Sequence, residues 1–258
     1  MRIAVILYGE PRFCKEFDLF LERLKGYDQA DYFIHIWGKS QSVSNYHRTR
    51  GSILVAEPWQ NVDREWALNK LRTSLPANSN VVDLTLGDQS AVPIPDMPNR
   101  DAETNLENMW KMYYSLNNAS KSKRKYEQDN GFEYDLAIVV RPDIMLQADL
   151  DLGHIKHHVD KDAKLISMPD NSRCGYGVAV SDMIAISSSK NIDAYCDLYN
   201  QAAALHDSGV IFHPETLLGN YLNHNSFTHY GLGYNISIRS LGTRISVQEY
   251  ISDFGSWA

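Results

Sequence analysis

The beginning of the chain shows the patterns of a strand, a helix and a second strand. A continuous apolar run starts at Ile3 and stops before Gly9, and apolar residues then recur every three or four positions. The run predicts a buried strand, and the recurrence predicts an amphipathic helix that ends near Gly26. Residues 31 to 37 are rich in aromatic and β-branched side chains and predict a second strand. Two strands around one helix favour a right-handed βαβ unit with parallel strands.

The rest of the chain continues to alternate between helical and extended patterns. Helical spacing of apolar residues predicts further helices at 62–75, 105–131, 191–205 and from 213 onward. Short apolar runs predict further strands at 81–84, 134–140, 164–168 and 183–187. We expect irregular structure at 39–62 and in the proline-rich stretch 87–99, and short strands and coil after 234. This order predicts an α/β fold, with a mostly parallel central sheet flanked by helices, in a single domain over residues 1–258.

Composition and charge narrow the class of protein. With 43% hydrophobic and 22% charged residues, the 258-residue chain has the makeup of a globular domain. Its formal charge of −7 disfavours a nucleic-acid partner, because binding to phosphate backbones depends on clustered Lys and Arg. The one basic run, at 121–125, is expected on the solvated face of a helix.

Cysteine and hydropathy patterns favour a cytoplasmic protein. Cys14, Cys174 and Cys196 are odd in number and form no C-x-x-C pair, so neither a disulfide framework nor a zinc knuckle is indicated. The first apolar run is too short for a signal peptide, and no run reaches the roughly 18 apolar residues of a membrane span. We therefore expect at most peripheral contact with a membrane.

Polar residues follow the first predicted strand, at the kind of position where ligands of open α/β sheets gather. These residues are Tyr8, Gly9 and Arg12. Glycine lets a ligand approach the backbone, and Arg12 can hold a phosphate through two parallel hydrogen bonds. The alternative is a plain turn with an exposed arginine.

A second such segment, Arg141-Pro142-Asp143, follows the strand at 134–140. Proline cannot continue a central strand, so the charged pair must lie at the edge of the sheet. Asp143 can ligate a divalent cation that bridges two phosphates, and Arg141 can neutralise the same diphosphate. The alternative is an internal Arg–Asp ion pair that caps the strand.

Two further carboxylates are candidates for a general base. Asp182 precedes the apolar run at 183–187, and Glu215 lies in the first turn of a predicted helix, where the helix dipole also favours a carboxylate. His35, inside an apolar strand, is expected to be a hydrogen-bonded core residue. The Walker pattern, the G-x-G-x-x-G fingerprint and the G-x-S-x-G elbow are absent from the sequence.

In order along the chain, these segments resemble GT-A-like glycosyltransferases found in viral and bacterial glycan-assembly gene sets. The resemblance spans most of residues 3 to 222 and rests on Gly9 and Arg12, residues 31–37, Met109-Trp110, Tyr114-Ser115, Tyr134-Asp135-Leu136, Arg141-Pro142-Asp143, residues 181–186 and residues 213–218. It implies a Rossmann-like nucleotide-binding half (1–145), an acceptor-binding half (146–258), and transfer of a sugar from a nucleoside diphosphate sugar to a glycan or similar hydroxyl acceptor, as in polysaccharide biosynthesis.

Carried over by position, the resemblance assigns roles to the candidate residues. Tyr8, Gly9 and Arg12 would face the nucleotide, and Arg141 and Asp143 the diphosphate. Asp143 would hold Mn²⁺ or Mg²⁺, although the usual D-x-D motif is here Arg-Pro-Asp, so that the arginine can supply part of the charge neutralisation.

On the acceptor side the resemblance places Asp182 and Glu215. Two alternatives to a glycosyltransferase remain at this point: a nucleotidyltransferase that makes the activated sugar, and a non-catalytic glycan-binding or assembly protein.

Overall fold

The structure is a computed structural model that describes residues 1–11, 20–39, 46–49, 52–55, 63–96, 106–142, 144–169, 179–231, 234, 236–238 and 244–245. The described strands are β1 (Arg2–Gly9), β2 (Leu24–Lys25), β3 (Gln29–Lys39), β4 (Tyr46–Thr49), β5 (Ser52–Val55), β6 (Ser79–Asp88), β7 (Leu136–Val140), β8 (Ile144–Leu146), β9 (Leu150–Asp151), β10 (Leu165–Met168), β11 (Ile184–Ser187), β12 (Thr228–Gly231), β13 (Ile236–Ile238) and β14 (Arg244–Ile245). The described helices are α1 (Arg64–Ser74), α2 (Leu106–Asn130), α3 (Leu152–Lys161), α4 (Ser189–Cys196), α5 (Leu198–Asp207) and α6 (Pro214–His224), and residues 20–23 are also helical.

The central sheet is mostly parallel, as the sequence predicts. Its strands lie in the order β12-β10-β11-β7-β1-β3-β6. The pairs β1·β3, β1·β7, β3·β6 and β10·β12 are parallel, whereas β11 pairs antiparallel with both β7 and β10. One reversed strand therefore lies inside an otherwise parallel sheet.

Helices cover both faces of this sheet, which explains why its strands are continuous apolar runs. Successive side chains of a strand point to opposite faces. Ile3, Val5 and Leu7 pack on one face with α1, α3 and the helical residues 20–23. Ala4, Ile6 and Tyr8 pack on the other face with α2, α4, α5 and α6.

A buried carboxylate ties the first strand to its neighbours. Asp31 is fully buried and accepts hydrogen bonds from the guanidinium of Arg2 (3.0 and 2.6 Å), the hydroxyl of Tyr134 (2.7 Å) and the amides of Gln29 (3.1 Å) and Asn80 (2.9 Å). Burial alone would raise the pKa of Asp31, but these hydrogen bonds outweigh it, so that the pKa is lowered.

A second buried charge links α2 to α4. Lys123 is fully buried, and its Nζ lies 2.7 Å from Oε2 of Glu127 and 3.0 Å from Oδ1 of Asp193, while it also donates to Ser189. Burial raises the pKa of Asp193. The ammonium group therefore holds two carboxylates that would repel each other without it.

Two of the predicted boundaries are wrong for identifiable reasons. Strand β6 extends to Asp88, although Gly87 suggested the start of a loop; a Cβ at Gly87 would lie 2.6 Å from the ring of His35 and 2.7 Å from that of Trp37, so close packing requires glycine there. The helix predicted at 191–205 is divided at Asp197, where the N–H bonds to the carbonyls of residues 193 and 194. Apolar spacing continues across the break and conceals it.

Several elements were not predicted. Strands β4 and β5 lie within the stretch expected to be irregular, and β8, β9, α3 and β12 had no counterpart in the prediction. The sequence does carry a signal for α3. Asp151 is a residue type that caps helices, and in the structure it accepts hydrogen bonds from the N–H groups of Gly153 (2.8 Å) and His154 (3.3 Å). Apolar residues then follow at 152, 155 and 159, which is helical spacing.

Candidate functional site

The sheet has a topological switch point between β1 and β7. From β1 the chain adds β3 and then β6 on one side, and it returns to pair β7 on the other side of β1. Connections that leave the carboxyl ends of β1 and β7 in opposite directions open a crevice, and ligands of open α/β sheets bind in such crevices. Gly9 is the last residue of β1, and Arg141 directly follows β7.

A hydrogen bond fixes the backbone of Gly9, and the described residues leave space at its Cβ position. Its φ is +93°, a conformation that favours glycine, and a Cβ built there would meet no atom of the described residues within 4 Å. The N–H of Gly9 donates to Oγ of Ser115 (2.8 Å), which in turn donates to the carbonyl of His35 (2.6 Å). Helix α2 therefore holds the end of β1 in place through one serine.

His35 is a buried, hydrogen-bonded histidine that supports the same serine. Its Nδ1 lies 2.9 Å from Oγ of Ser115. Because that hydroxyl donates to a carbonyl, the Nδ1–H of His35 is the donor in this contact. Burial lowers the pKa of His35 to about 4, so the ring is neutral at pH 7.

Arg141 starts a short turn that leaves β7, directly after Val140, which pairs with Leu7 of β1. Its N–H donates to the carbonyl of Met183 (3.2 Å), and its own carbonyl accepts from the N–H of Ile144 (3.4 Å). Arg141 is half-buried and Pro142 is buried. The other two residues predicted for the diphosphate and its metal, Arg12 and Asp143, lie outside the described residues.

The reversal of β11 brings Asp182 to the same edge of the sheet. Because β11 is antiparallel and Ile184 pairs with Val140, the residues before β11 lie at the carboxyl end of β7. Asp182 is 7% exposed, and its carbonyl accepts a hydrogen bond from the hydroxyl of Tyr8 (2.6 Å). The Tyr8 side chain is buried, so its contribution is to hold the Asp182 segment against β1.

The start of α6 holds Glu215 against the segment that leads to Asp182. The carbonyl of Glu215 accepts from the N–H of Val180 (3.1 Å), and that of Pro214 accepts from the hydroxyl of Tyr113 (3.0 Å). Burial is the main cause that raises the pKa of Tyr113, and the charges of Asp182 and Glu215 add to it. Both candidate bases therefore lie near one tyrosine of α2.

The structure thus brings together most of the predicted site residues that it describes, from four separate parts of the chain. Around them lie Tyr113, Ser115 and His213. The last two belong to segments that carry the resemblance, but the sequence assigns none of the three a role in the site. The contacts that give the first two their role join positions about one hundred residues apart, and no local pattern signals such contacts.

The described part of the chain contains neither a candidate metal-binding group of three or more side chains nor a candidate membrane-spanning helix. Within the described ranges, no three His, Cys, Asp or Glu side chains group in a way that suits a metal ion. No helix in this part of the chain combines the length and hydrophobicity needed to cross a membrane. Neither the protein-family models nor the curated proteins compared with the chain match it.

Proposed function

We propose that the protein is a GT-A-like glycosyltransferase that moves a sugar from a nucleoside diphosphate sugar to a hydroxyl of a glycan or similar acceptor. One observation carries the proposal. At the crevice, Gly9 ends β1 with no described atom within 4 Å of its Cβ position and Arg141 follows β7, and the two carboxylates of Asp182 and Glu215 belong to segments at its border. Such a crevice suits a ligand with a charged leaving group and an acceptor that must lose a proton.

In this proposal the strand-end residues and the two carboxylates have different tasks. The Gly9 backbone and the Arg141 guanidinium bind the diphosphate, whose charge grows as it leaves the sugar. The acceptor hydroxyl enters from the side of Asp182 and Glu215, where a base removes its proton. Asp143 is the candidate ligand for Mn²⁺ or Mg²⁺ at the diphosphate.

A thermal-shift screen tests the proposal. UDP-, GDP- and dTDP-sugars are added with and without Mn²⁺, and a CMP-sugar, which carries a single phosphate, serves as the control ligand. A donor at one hundred times its Kd adds about 2.7 kcal/mol of stability, which corresponds to a rise in Tm of roughly 5–10 °C. Free nucleoside diphosphate is then measured with the donor that stabilises the protein.

Variants locate the site in the same screen. Arg141→Ala is expected to weaken donor binding roughly tenfold or more, whereas Arg72→Ala, an exposed arginine in the last turn of α1, is expected to leave it unchanged. If no nucleotide sugar stabilises the protein, the proposal is wrong. Turnover of a nucleoside triphosphate with a sugar 1-phosphate would indicate a nucleotidyltransferase, and binding without release of nucleotide would indicate a binding protein.

A further inference from the structure

Helix α3 carries two histidines one turn apart on the same face. His154 and His158 are four residues apart, a spacing that places their Cβ atoms about 5–6 Å from each other. The centroids of their rings are 4.7 Å apart, and the ring planes make an angle of 66°. Two histidines at this spacing on a helix are an arrangement with which proteins bind a metal ion.

The helix that carries the pair is fixed at its start and along its inner side. Its apolar residues at 152, 155 and 159 are buried in the core. The carboxylate of Asp151 accepts hydrogen bonds from the N–H groups of Gly153 and His154. The two turns that carry the histidines therefore keep their relative position, and an ion that bridges the rings loses little free energy to ordering of the backbone.

The two rings are not engaged with other partners in the described part of the chain. His154 is exposed and His158 is partly exposed. Within the described residues neither ring makes a hydrogen bond or an ion pair, and their ring contacts are with each other and, for His158, with His157 at 5.8 Å. The carboxylate of Asp160 is bound by Lys156, whose Nζ lies 2.6 and 2.8 Å from its two oxygens. Binding of an ion therefore breaks no hydrogen bond between these rings and the described chain.

The separation of the two rings fits an ion that both of them bind. An ion about 2.0–2.1 Å from one nitrogen of each ring lies about 3.2 Å from each centroid, so that bonds at a right angle place the centroids about 4.5 Å apart. The observed separation of 4.7 Å is close to this value. Rotation of the side chains can therefore direct one nitrogen of each ring at the same ion without movement of the helix. Bonds at right angles suit the square and octahedral geometries of Cu²⁺ and Ni²⁺.

We propose that His154 and His158 bind one divalent transition-metal ion of the kind that imidazole prefers, Cu²⁺, Ni²⁺ or Zn²⁺. The ion exchanges two of its water molecules for one nitrogen of each ring. No third side chain of the described residues completes the group, so water keeps the other positions. The bound ion ties two successive turns of α3 together and stabilises the folded protein.

This metal site lies away from the proposed transferase site. A Cβ at Gly26 would lie 3.3 Å from Oδ1 of Asp151, so the start of α3 lies beside the turn that leads into β3. That turn is at the amino ends of the parallel strands, because Gln29 pairs with Arg2 at the start of β1. The crevice lies at the carboxyl ends of the same sheet. Metal binding by the pair and the proposed transfer reaction are therefore tested separately.

Isothermal titration calorimetry with NiCl₂ and the 258-residue chain, prepared without a polyhistidine tag, tests the proposal. We expect one ion to bind to the pair, and His154→Gln and His158→Gln each to weaken this binding at least about tenfold. His157→Gln is the matched control, because it removes a neighbouring imidazole of the same helix, and it should keep the affinity within about threefold. Glutamine favours a helix, so the Tm of the three variants without metal should equal that of the wild-type protein.

Two results of the titration would overturn the proposal. One is nickel binding by the wild-type protein no stronger than that by the double variant His154→Gln/His158→Gln. The other is an equal loss in all three single variants, because nickel would then bind surface imidazoles without a defined pair. Electron paramagnetic resonance with Cu²⁺ checks the ligands directly. The wild-type complex should show coupling to two imidazole nitrogens and the His154→Gln complex to one, whereas a single nitrogen in the wild-type complex would also overturn the proposal.

Discussion

Replacing Gly9 with alanine tests whether a ligand approaches the end of β1. The φ of +93° disfavours any residue with a Cβ, and we expect the change to destabilise the fold by about 1–2 kcal/mol. No atom of the described residues lies within 4 Å of the added methyl group, so no clash with this part of the chain adds to that cost. The variant should therefore fold, with a Tm lowered by roughly 2–8 °C.

The same methyl group would project into the crevice where the diphosphate is proposed to bind. Forcing an extra methyl into a close contact costs about 1–3 kcal/mol, which is roughly a 5- to 150-fold loss of affinity. Gly131→Ala is the matched control. It too has a positive φ, of +66°, and open space at the Cβ position, but it follows the end of α2, about 24 Å along the helix from Ser115.

Isothermal titration calorimetry with the stabilising donor measures the outcome. We expect Gly131→Ala to lose stability and keep its donor affinity, and Gly9→Ala to lose both. If Gly9→Ala binds the donor within threefold of the wild-type protein, no ligand approaches this backbone and the reasoning is refuted. The reasoning is equally refuted if both variants lose affinity to the same degree, because strain alone would then explain the loss.

Three further predictions concern stability, measured by urea unfolding. Asp31→Asn should cost about 1.5–3 kcal/mol, because the fully buried side chain loses its charge-assisted hydrogen bonds with the guanidinium of Arg2, whose side chain is 33% exposed. Asp135→Asn, which changes an exposed carboxylate that accepts one backbone hydrogen bond, should cost about 1 kcal/mol or less. The pKa of His35 is lowered to about 4 in the fold, so the neutral ring stabilises the folded state above pH 6.5. The free energy of unfolding of the wild-type protein should therefore fall by up to about 1.4 kcal/mol per pH unit as the pH is lowered from 6.5 toward 4. His35→Gln should lack this part of the pH dependence. Lys123→Met should cost about 3 kcal/mol, because the buried carboxylate of Glu127 and the partly buried one of Asp193 then face each other, while Lys125→Met should cost about 0.5 kcal/mol or less.

Each prediction has a result that would contradict it. Equal losses in the two aspartate variants would mean that the buried network contributes no more than a surface hydrogen bond. Parallel pH profiles for the wild-type protein and His35→Gln would mean that the ring already titrates normally in the folded state. A Lys123→Met variant as stable as the wild-type protein would mean that the carboxylates take up protons, or move apart, at little cost.

The local elements could be predicted from sequence far better than their arrangement. The run from Ile3 and the aromatic stretch at 31–37 form paired parallel strands, and the long helix ends one residue before Gly131, as predicted. Apolar periodicity determines such elements because it follows directly from which face must be buried. It carries no information on which strands become neighbours.

The site depends on that missing information. Asp182 was expected at a strand boundary, but only the reversal of β11 decides at which edge of the sheet that boundary lies. The link from Gly9 to Ser115 likewise depends on how α2 packs against β1. The sequence places His213 at the start of a predicted helix without assigning it a role, and its 3.1 Å approach to Glu215 becomes visible once side chains are placed.

The reversed strand also has a consequence for synthesis of the chain. In the described sheet, β10 and β12 are joined to the remaining strands through β11, which is made after β10 but lies between it and β7. While the ribosome extends the chain from residue 140 to 187, the apolar edge of β7 has no partner strand. At a synthesis rate of about 5–20 residues per second, that edge stays unpaired for roughly 2–10 s before β11 is complete. Unpaired edges of this kind recruit other chains, so fragments that end before β11 are expected to aggregate.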